Sequence, residues 1–230
     1  MTRTIASAVA MLAALLTATA AQASQQCSQE MGVALENQRK SGAFRMDVFM
    51  IAEQGPVKMS VDYVLPDRMR QVVTMVLDPK PVETVLVGSK AWSRQGASGQ
   101  GGDAQVGPGS PGGAWSAVSD EVTRDMIDQV KQSVAEKPED VGRWDCLGKL
   151  TVDGVEFNAY QGGETGPTDL SPDAQKKPKN EAVRIIYVDP ATGLPARSIF
   201  ARPDKLDRPI FKATYSYPKD LKIEPPTMAK

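Results

Sequence analysis

The chain has 230 residues, with 27 basic and 28 acidic side chains, a formal net charge of −1 and no histidine. This near-neutral balance argues against nucleic-acid binding and predicts no strong attraction to an anionic membrane surface. Without histidine, the usual general base, the Ser-His-Asp triad and the commonest metal ligand are missing. We therefore expect no enzyme activity, no cofactor and no metal.

The first 23 residues have the pattern of a secretory signal peptide. Arg3 supplies a positive charge, residues 5–16 are mostly Ala, Val, Met and Leu, and Ala21-Gln22-Ala23 resembles a cleavage site. The apolar stretch is too short to span a membrane comfortably. The mature protein is therefore expected to begin at Ser24, to be exported and soluble, and not to insert stably into a membrane.

Two cysteines remain in the mature chain, Cys27 and Cys146. In an exported protein, an even pair most simply forms a disulfide. Two free buried thiols are one alternative, and a metal site is another, although two cysteines without histidine make a poor ligand set. The polar residues before Cys27 argue against lipidation of this cysteine.

The first predicted elements are a helix and an antiparallel meander. Helix formers fill Cys27–Lys40, and Ser41-Gly42 provides a stop. Alternation of apolar and polar residues then predicts strands at about 43–53, 57–65, 68–77, 82–87 and 90–94. Because the connectors are short and rich in turn residues, sequential strands should pair as neighbours.

The apolar face of these strands is rich in methionine, and the whole chain has ten methionines. These residues either fill gaps in an ordinary core or form a deformable surface for flexible apolar chains. A thioether copper site is a third reading, but compact metal spacing is lacking. The residues predicted to line the surface are Met46, Val48, Met50, Met59, Val61, Tyr63, Val73, Met75, Trp92 and Met126.

Two arginines in the third strand offer a further binding feature. Arg68 and Arg70 are two positions apart and therefore share one face of the strand. They are either solvated or placed at the mouth of a pocket, where they would hold an anionic head group.

A loop and a second helix follow the meander. Residues 96–113 are mostly Gly, Ser, Gln, Pro and Ala, which predicts a mobile loop, either a tolerated insertion or a lid or docking arm. Residues 119–136 have a Ser119 cap and an apolar stripe at helical spacing. The stripe, formed by Val122, Met126, Ile127, Val130 and Val134, should lie on the apolar face of the sheet as a movable cover.

The second half returns to strands, at about 143–151, 154–161, 182–188, 195–202 and 210–217, with a polar loop at 162–180. Residues 24–230 are thus predicted to form one α+β domain. It would contain a large curved antiparallel sheet of about ten strands, with helices on its concave side.

Three segments resemble the outer-membrane lipoprotein carrier (LolA-like) superfamily. They are Tyr63-Val64-Leu65-Pro66-Asp67-Arg68-Met69-Arg70, then Val87-Gly88-Ser89-Lys90-Ala91-Trp92, and then Val188-Asp189 with Thr192-Gly193-Leu194-Pro195. The resemblance implies an unclosed, strongly bent antiparallel half-barrel with helices at its mouth. It also implies a periplasmic protein that carries or senses lipoprotein acyl chains or other lipids.

Two functions are therefore expected. The first is binding or transport of an acyl chain, lipid or lipoprotein in the cell envelope, with an envelope protein as possible donor or acceptor. The second is a non-enzymatic sensor or scaffold that uses the same fold to bind a protein partner through a strand edge or the 96–113 loop.

Overall fold

The computed structural model describes residues 24–77, 80–96, 113–135, 142–162, 182–202 and 204–227. The predicted signal peptide and most of the predicted loops at 96–113 and 162–180 lie outside these ranges. Within them, one antiparallel sheet carries two helices on one of its faces.

The elements follow the predicted order. Helix α1 covers residues 24–40, and α2 covers Asp120–Ala135. The strands are β1 (Ala43–Ala52), β2 (Gly55–Val64), β3 (Arg68–Met75), β4 (Val82–Val87), β5 (Lys90–Gln95), β6 (Ser116–Ala117), β7 (Trp144–Val152), β8 (Val155–Gly162), β9 (Val183–Val188), β10 (Pro195–Ala201) and β11 (Phe211–Ser216).

All eleven strands belong to a single sheet with the order β6-β5-β4-β3-β2-β1-β11-β10-β9-β8-β7. Two meanders thus run in opposite directions from a central β1–β11 pair, and the sheet remains unclosed. The predicted α+β half-barrel is confirmed. Sequence patterns missed only the two-residue strand β6, which is too short to show alternation.

Turn chemistry fixes the register of the hairpins. Asp153 and Gly154 both adopt positive φ angles, of 51° and 81°, between β7 and β8. Two successive positive angles are typical of the tight turn whose twist matches that of the flanking strands. The pairing of Val152 with Val155 follows directly from this two-residue turn.

The two helices cover different halves of the same face. Helix α1 packs on β7–β9 in the α1 cluster, formed by Cys27, Met31, Ala34, Trp144, Tyr160, Ile186 and Val188. Helix α2 packs on β1–β5 in the α2 cluster, formed by Phe44, Val61, Tyr63, Met69, Leu86, Ala91, Met126 and Val130. As predicted, the second helix lies on the apolar face, although Val122 of its predicted stripe is exposed.

The predicted disulfide between Cys27 and Cys146 is present and joins α1 to β7. The two cysteines are 119 positions apart in sequence, and their Cα atoms are 5.4 Å apart. The bond therefore fastens the first helix directly to the strand at the far edge of the sheet.

A third apolar cluster lies on the opposite face of β8–β10. Phe157, Tyr187 and Ile199 belong to this cluster, and each is about nine-tenths buried or more. Residues that alternate with them, such as Tyr160 and Ile186, contact α1 on the other side. The second half of the sheet is thus apolar on both faces, which explains why its strands read as nearly continuous apolar runs.

Candidate functional site

The methionine-rich face extends over adjacent strands on the helix-covered side of the sheet. In the strand register, Met46 pairs with Val61, Val48 with Met59, and Met59 with Val73. Because paired residues in an antiparallel sheet project from the same face, these side chains form one continuous surface. The predicted lining residues that share this face are Met46, Val48, Met50, Met59, Val61, Tyr63, Val73 and Met75.

Burial varies over this surface, and Val48 and Val57 are buried although their neighbours Met59 and Met75 are more exposed. Val61 and Tyr63 are almost completely buried, Met59 and Val73 are half-buried, and Met75 is 43% exposed. Tyr63 stacks on Phe44 with ring centroids 4.8 Å apart at the buried end. The surface therefore has a packed end beneath α2 and an accessible end where β2 begins and β3 finishes.

Exposed apolar side chains form a rim at this end of the sheet, on both of its faces. The rim consists of Ile51, Met75, Val76, Leu77, Val82 and Ile210, each more than two-fifths exposed. Met75 and Val82 lie on the methionine-rich face, whereas Ile51 and Val76 lie on the opposite face. The backbone N–H of Ile51 donates to the carbonyl of Ile210 at 3.0 Å, so the two sides of the rim are joined. Such a concentration of exposed aliphatic side chains is typical of an interaction site.

Helix α2 covers the packed end. It places Met126 and Val130 in the α2 cluster, with Ile127 at its margin. The helix begins after Val118, whose N–H donates to the carbonyl of Ala91 at 3.0 Å. The predicted lining residue Met126 is therefore on the covering helix and contacts the sheet residues it was expected to meet.

Trp92 departs from the predicted lining. It pairs with Val85, whereas its neighbour Ala91 pairs with Leu86 and belongs to the α2 cluster. Successive strand residues project from opposite faces, so Trp92 lies on the face away from α2. The Ala91 methyl group, and not the indole, occupies the covered face at this point.

Arg68 and Arg70 also lie on the face away from α2, because Met69 between them belongs to the α2 cluster. Arg68 donates to the carbonyl of Ile223 in the C-terminal tail at 2.7 Å. Arg70 pairs with Glu83 at 2.7 Å. This placement does not fit the predicted head-group role at a pocket mouth, and neither arginine is merely solvated.

A network of charges occupies that outer face. Asp62 accepts from Arg45 at 2.6 Å, and Glu83 lies between Arg70 and Arg94. The hydrogen bond from Arg45 to Asp62 raises the pKa of the arginine. Because both carboxylates are nearly buried, removal of their arginine partners would leave a buried charge unpaired. The network is structural, and it holds β1–β5 together from outside.

Sequence reasoning missed a cation, Arg184, on the helix-covered face. Arg184 in β9 precedes Ile186 by two positions and therefore shares its face with Ile186 and Val188, both in the α1 cluster. Its guanidinium carbon is 5.9 Å from the centroid of the Trp144 ring. Tyr215 lies beside it, and burial raises the pKa of that phenol. Alternation along the chain provided no signal for Arg184, because both faces of β9 are apolar.

Among the described residues, no group of three His, Cys, Asp or Glu side chains is arranged to hold a metal ion. In the same part of the chain, no helix is both long and apolar enough to cross a membrane.

Of three comparisons with known proteins, only the one with solved structures found similar proteins. Neither protein-family models nor curated protein sequences gave a match. Among solved structures, the chain is similar to the lipoprotein LppX from Mycobacterium tuberculosis, with a TM-score of 0.50 and 13% identity over 87% of this chain and 99% of LppX.

Two further structures show weaker similarity. The MucA/MucB complex of Pseudomonas aeruginosa gives a TM-score of 0.39 and 13% identity, over 83% of this chain and 55% of that one. The LolA superfamily protein NE2245 from Nitrosomonas europaea gives 0.27 and 11%, over 85% and 94%. At such identities the likeness concerns the fold alone, and the fold resembles that of LppX.

Proposed function

We propose that this protein is a non-enzymatic, periplasmic binding or carrier protein for an acyl chain, lipid or lipoprotein of the bacterial cell envelope. The observation that carries the proposal is the continuous methionine-rich apolar surface, on which Val61 and Tyr63 are covered and Met75 is exposed. A surface that is accessible at one end and covered by a helix at the other suits a long flexible ligand.

Methionine side chains suit this task because they are unbranched and polarisable. Met46, Met50 and Met59 can change rotamer around a chain of variable shape without leaving large voids. Burial of an acyl chain contributes about 0.8 kcal/mol per methylene. A chain of about 14–16 carbons would thus contribute a gross ~11–13 kcal/mol, which ordering costs reduce.

The covering helix makes entry of such a ligand physically reasonable. The side chains that α2 places in the cluster, Met126 and Val130, contact the sheet through apolar surfaces. Apolar contact is non-directional, so a ligand chain can replace the contacts that the helix gives up. The predicted role of α2 as a movable cover follows from this exchange.

Lipid extraction tests the proposal directly. The protein would be exported by cells, purified without detergent, denatured and examined for released lipid by mass spectrometry. We expect lipid in a fixed molar ratio with the wild-type protein and none with Met59→Glu, because the new carboxylate would lie on the apolar surface. Lys58→Glu is the matched control, since Lys58 is exposed on the other face of the same strand.

The result is decisive in either direction. Lipid in the wild-type and Lys58→Glu proteins, with none in Met59→Glu, supports the proposal. Its consistent absence from the wild-type protein would refute it.

A second candidate is a sensor or scaffold that binds a protein partner, and one observation favours it. β7 ends the sheet among the described strands, and its residues 145–149 are exposed. An edge strand of this kind can pair with a strand from another chain. If this is the function, partner capture will be equal for the wild-type and Met59→Glu proteins.

A further inference from the structure

Arg184 is a cation built into an apolar, helix-covered surface. Ile186 and Val188, which share its face of β9, are buried, and the centroid of the Trp144 ring lies 5.9 Å from its guanidinium carbon. Gly162 is its partner in β8, so no side chain stands directly opposite it in the register. A Cβ added at Gly162 would come within 3.0 Å of Trp144, and the glycine thus lets arginine and indole approach each other.

The guanidinium hydrogen-bonds to Tyr215, but one of its donors lacks an acceptor. The Nε atom of Arg184 is buried and has no hydrogen-bond partner. No carboxylate among the described residues pairs with Arg184, whereas the outer-face arginines Arg70 and Arg94 share Glu83. Buried donors without partners are rare in native proteins, and a missing ligand is one of their recognised explanations.

Neighbouring groups extend this donor-rich site. Tyr215 lies beside Arg184 and Ser198, and Tyr217 lies beside Tyr215. Gln38 of α1 lies beside Tyr217, and its Nε2 atom is also buried without a partner. The site therefore offers guanidinium, amide and phenol donors in one region of the covered face, and a group with several acceptor oxygens would satisfy them.

The register connects this site to the methionine-rich surface. Arg184 pairs with Phe200, Phe200 with Phe211, and Phe211 with Met50. Three strand spacings of about 4.8 Å separate Arg184 from Met50, a distance of about 14 Å. An amphiphile with its polar end at Arg184 could therefore lay its chain across the two phenylalanines towards the methionines.

We propose that Arg184 binds the anionic head group of an acyl lipid, a carboxylate or a phosphate, while the chain lies on the apolar surface. This inference rests on the proposed lipid-binding function and adds the class of ligand. Arginine matches both head groups because its planar fork donates two parallel hydrogen bonds to oxygen pairs.

Competition between an acid and the matching alcohol tests the assignment. A fluorescent fatty acid bound to the delipidated mature protein would be displaced by palmitate or by hexadecanol. Because a hydrogen bond to a charged group is worth more than a neutral one, we expect palmitate to bind about 10- to 100-fold more tightly than the alcohol. Arg184→Gln should abolish this preference and leave the affinity for the alcohol unchanged.

The controls separate the site from the fold and from the proposed function. Arg197→Gln removes a charge from the opposite face of neighbouring strand β10 and should keep the preference. Arg184→Lys should keep part of the preference for the acid, and this variant replaces Arg184→Gln if the latter fails to fold.

Equal binding of acid and alcohol by the wild-type protein would overturn the inference but not the proposed function. Binding of neither would overturn both, and displacement of the probe by inorganic phosphate alone would assign the site to a free anion.

Discussion

The two helices cover the same face of the sheet but are attached to it in different ways. Helix α1 is joined to β7 by the Cys27–Cys146 disulfide and by a hydrogen bond of 2.9 Å from the Trp144 N–H to Ser28 Oγ. Its Glu30 also accepts from the Tyr160 hydroxyl at 2.9 Å. Helix α2 contacts the other half through Met126, Ile127 and Val130.

This difference separates a fixed element from an exchangeable one. Covalent and hydrogen-bonded attachments require particular atoms in particular places, whereas apolar contacts require only a matching surface. Under the proposed function, a ligand chain would take the place of the apolar contacts of α2, whereas it would not replace the attachments of α1. The α1 half therefore provides rigidity, and the α2 half provides the adaptable surface on which the proposed function depends.

Loss of the disulfide should have the largest effect on this contrast. The variant Cys27→Ser/Cys146→Ser is expected to lose about 4–5 kcal/mol of unfolding free energy, because the bond closes a loop of 119 positions. Urea unfolding measures the loss, and hydrogen exchange should show α1 amides opening as readily as those of α2. A loss below about 1 kcal/mol would mean that packing alone fixes α1.

Truncation of a buried side chain in the covering helix should cause the next largest loss of unfolding free energy. Met126→Ala removes a buried side chain from the α2 cluster and should cost about 2–5 kcal/mol by urea unfolding. Hydrogen exchange should increase in α2 and stay unchanged in α1. Val122→Ala on the same helix is the control, because Val122 is exposed and its loss should change stability by no more than about 0.5 kcal/mol. Equal effects of the two substitutions would argue against α2 as a packed cover.

A pair of serine substitutions sharpens the comparison at the level of single hydrogen bonds. Ser28→Ala removes the acceptor for the Trp144 N–H and should cost about 1 kcal/mol. Ser119→Ala at the start of α2 should cost less, because the Val122 N–H lies 3.5 Å from the Ser119 hydroxyl, beyond the usual range. Thermal unfolding of both variants provides the test, and a larger loss for Ser119→Ala would reverse the assignment of fixed and exchangeable helices.

Sequence alone predicted the architecture well, because each strand of the first half has one apolar and one polar face. Phe44, Met46 and Val48 alternate with Arg45 and Asp47, and the structure keeps that alternation on opposite faces. The disulfide was also predictable, since an exported chain with two cysteines has few other uses for them.

The site was less accessible to sequence reasoning, since alternation defines faces without defining what covers them. Trp92 was placed on the covered face because of its apolar character, yet the register assigns that place to Ala91. Arg70 was interpreted as solvated or as a head-group ligand, but long-range pairing brings it to Glu83. Arg184 was missed because only the pairing with β8 and β10 reveals that it lies on the covered face.

The smallest expected effect concerns the ionisation of Tyr160, which contacts α1 from β8. Burial, followed by the hydrogen bond to Glu30 and its negative charge, raises the pKa of this phenol from 10.0 to about 12. The folded state therefore retains the proton longer than the unfolded state does. Its contribution to stability is complete below pH 10 and is lost as the pH rises towards 12.

Alkaline unfolding of Tyr160→Phe and Glu30→Gln tests whether the attachment of α1 produces this dependence. Tyr160→Phe should reduce the loss of stability between pH 10 and 12, measured against the wild-type protein and referenced to pH 8. Glu30→Gln keeps a hydrogen-bond acceptor but removes the charge, so the phenol should titrate at lower pH than in the wild-type protein. Because burial is the largest cause, part of the shift should survive in Glu30→Gln. A pKa near 10 in that variant would mean instead that α1 acts on β8 through charge and not through packing.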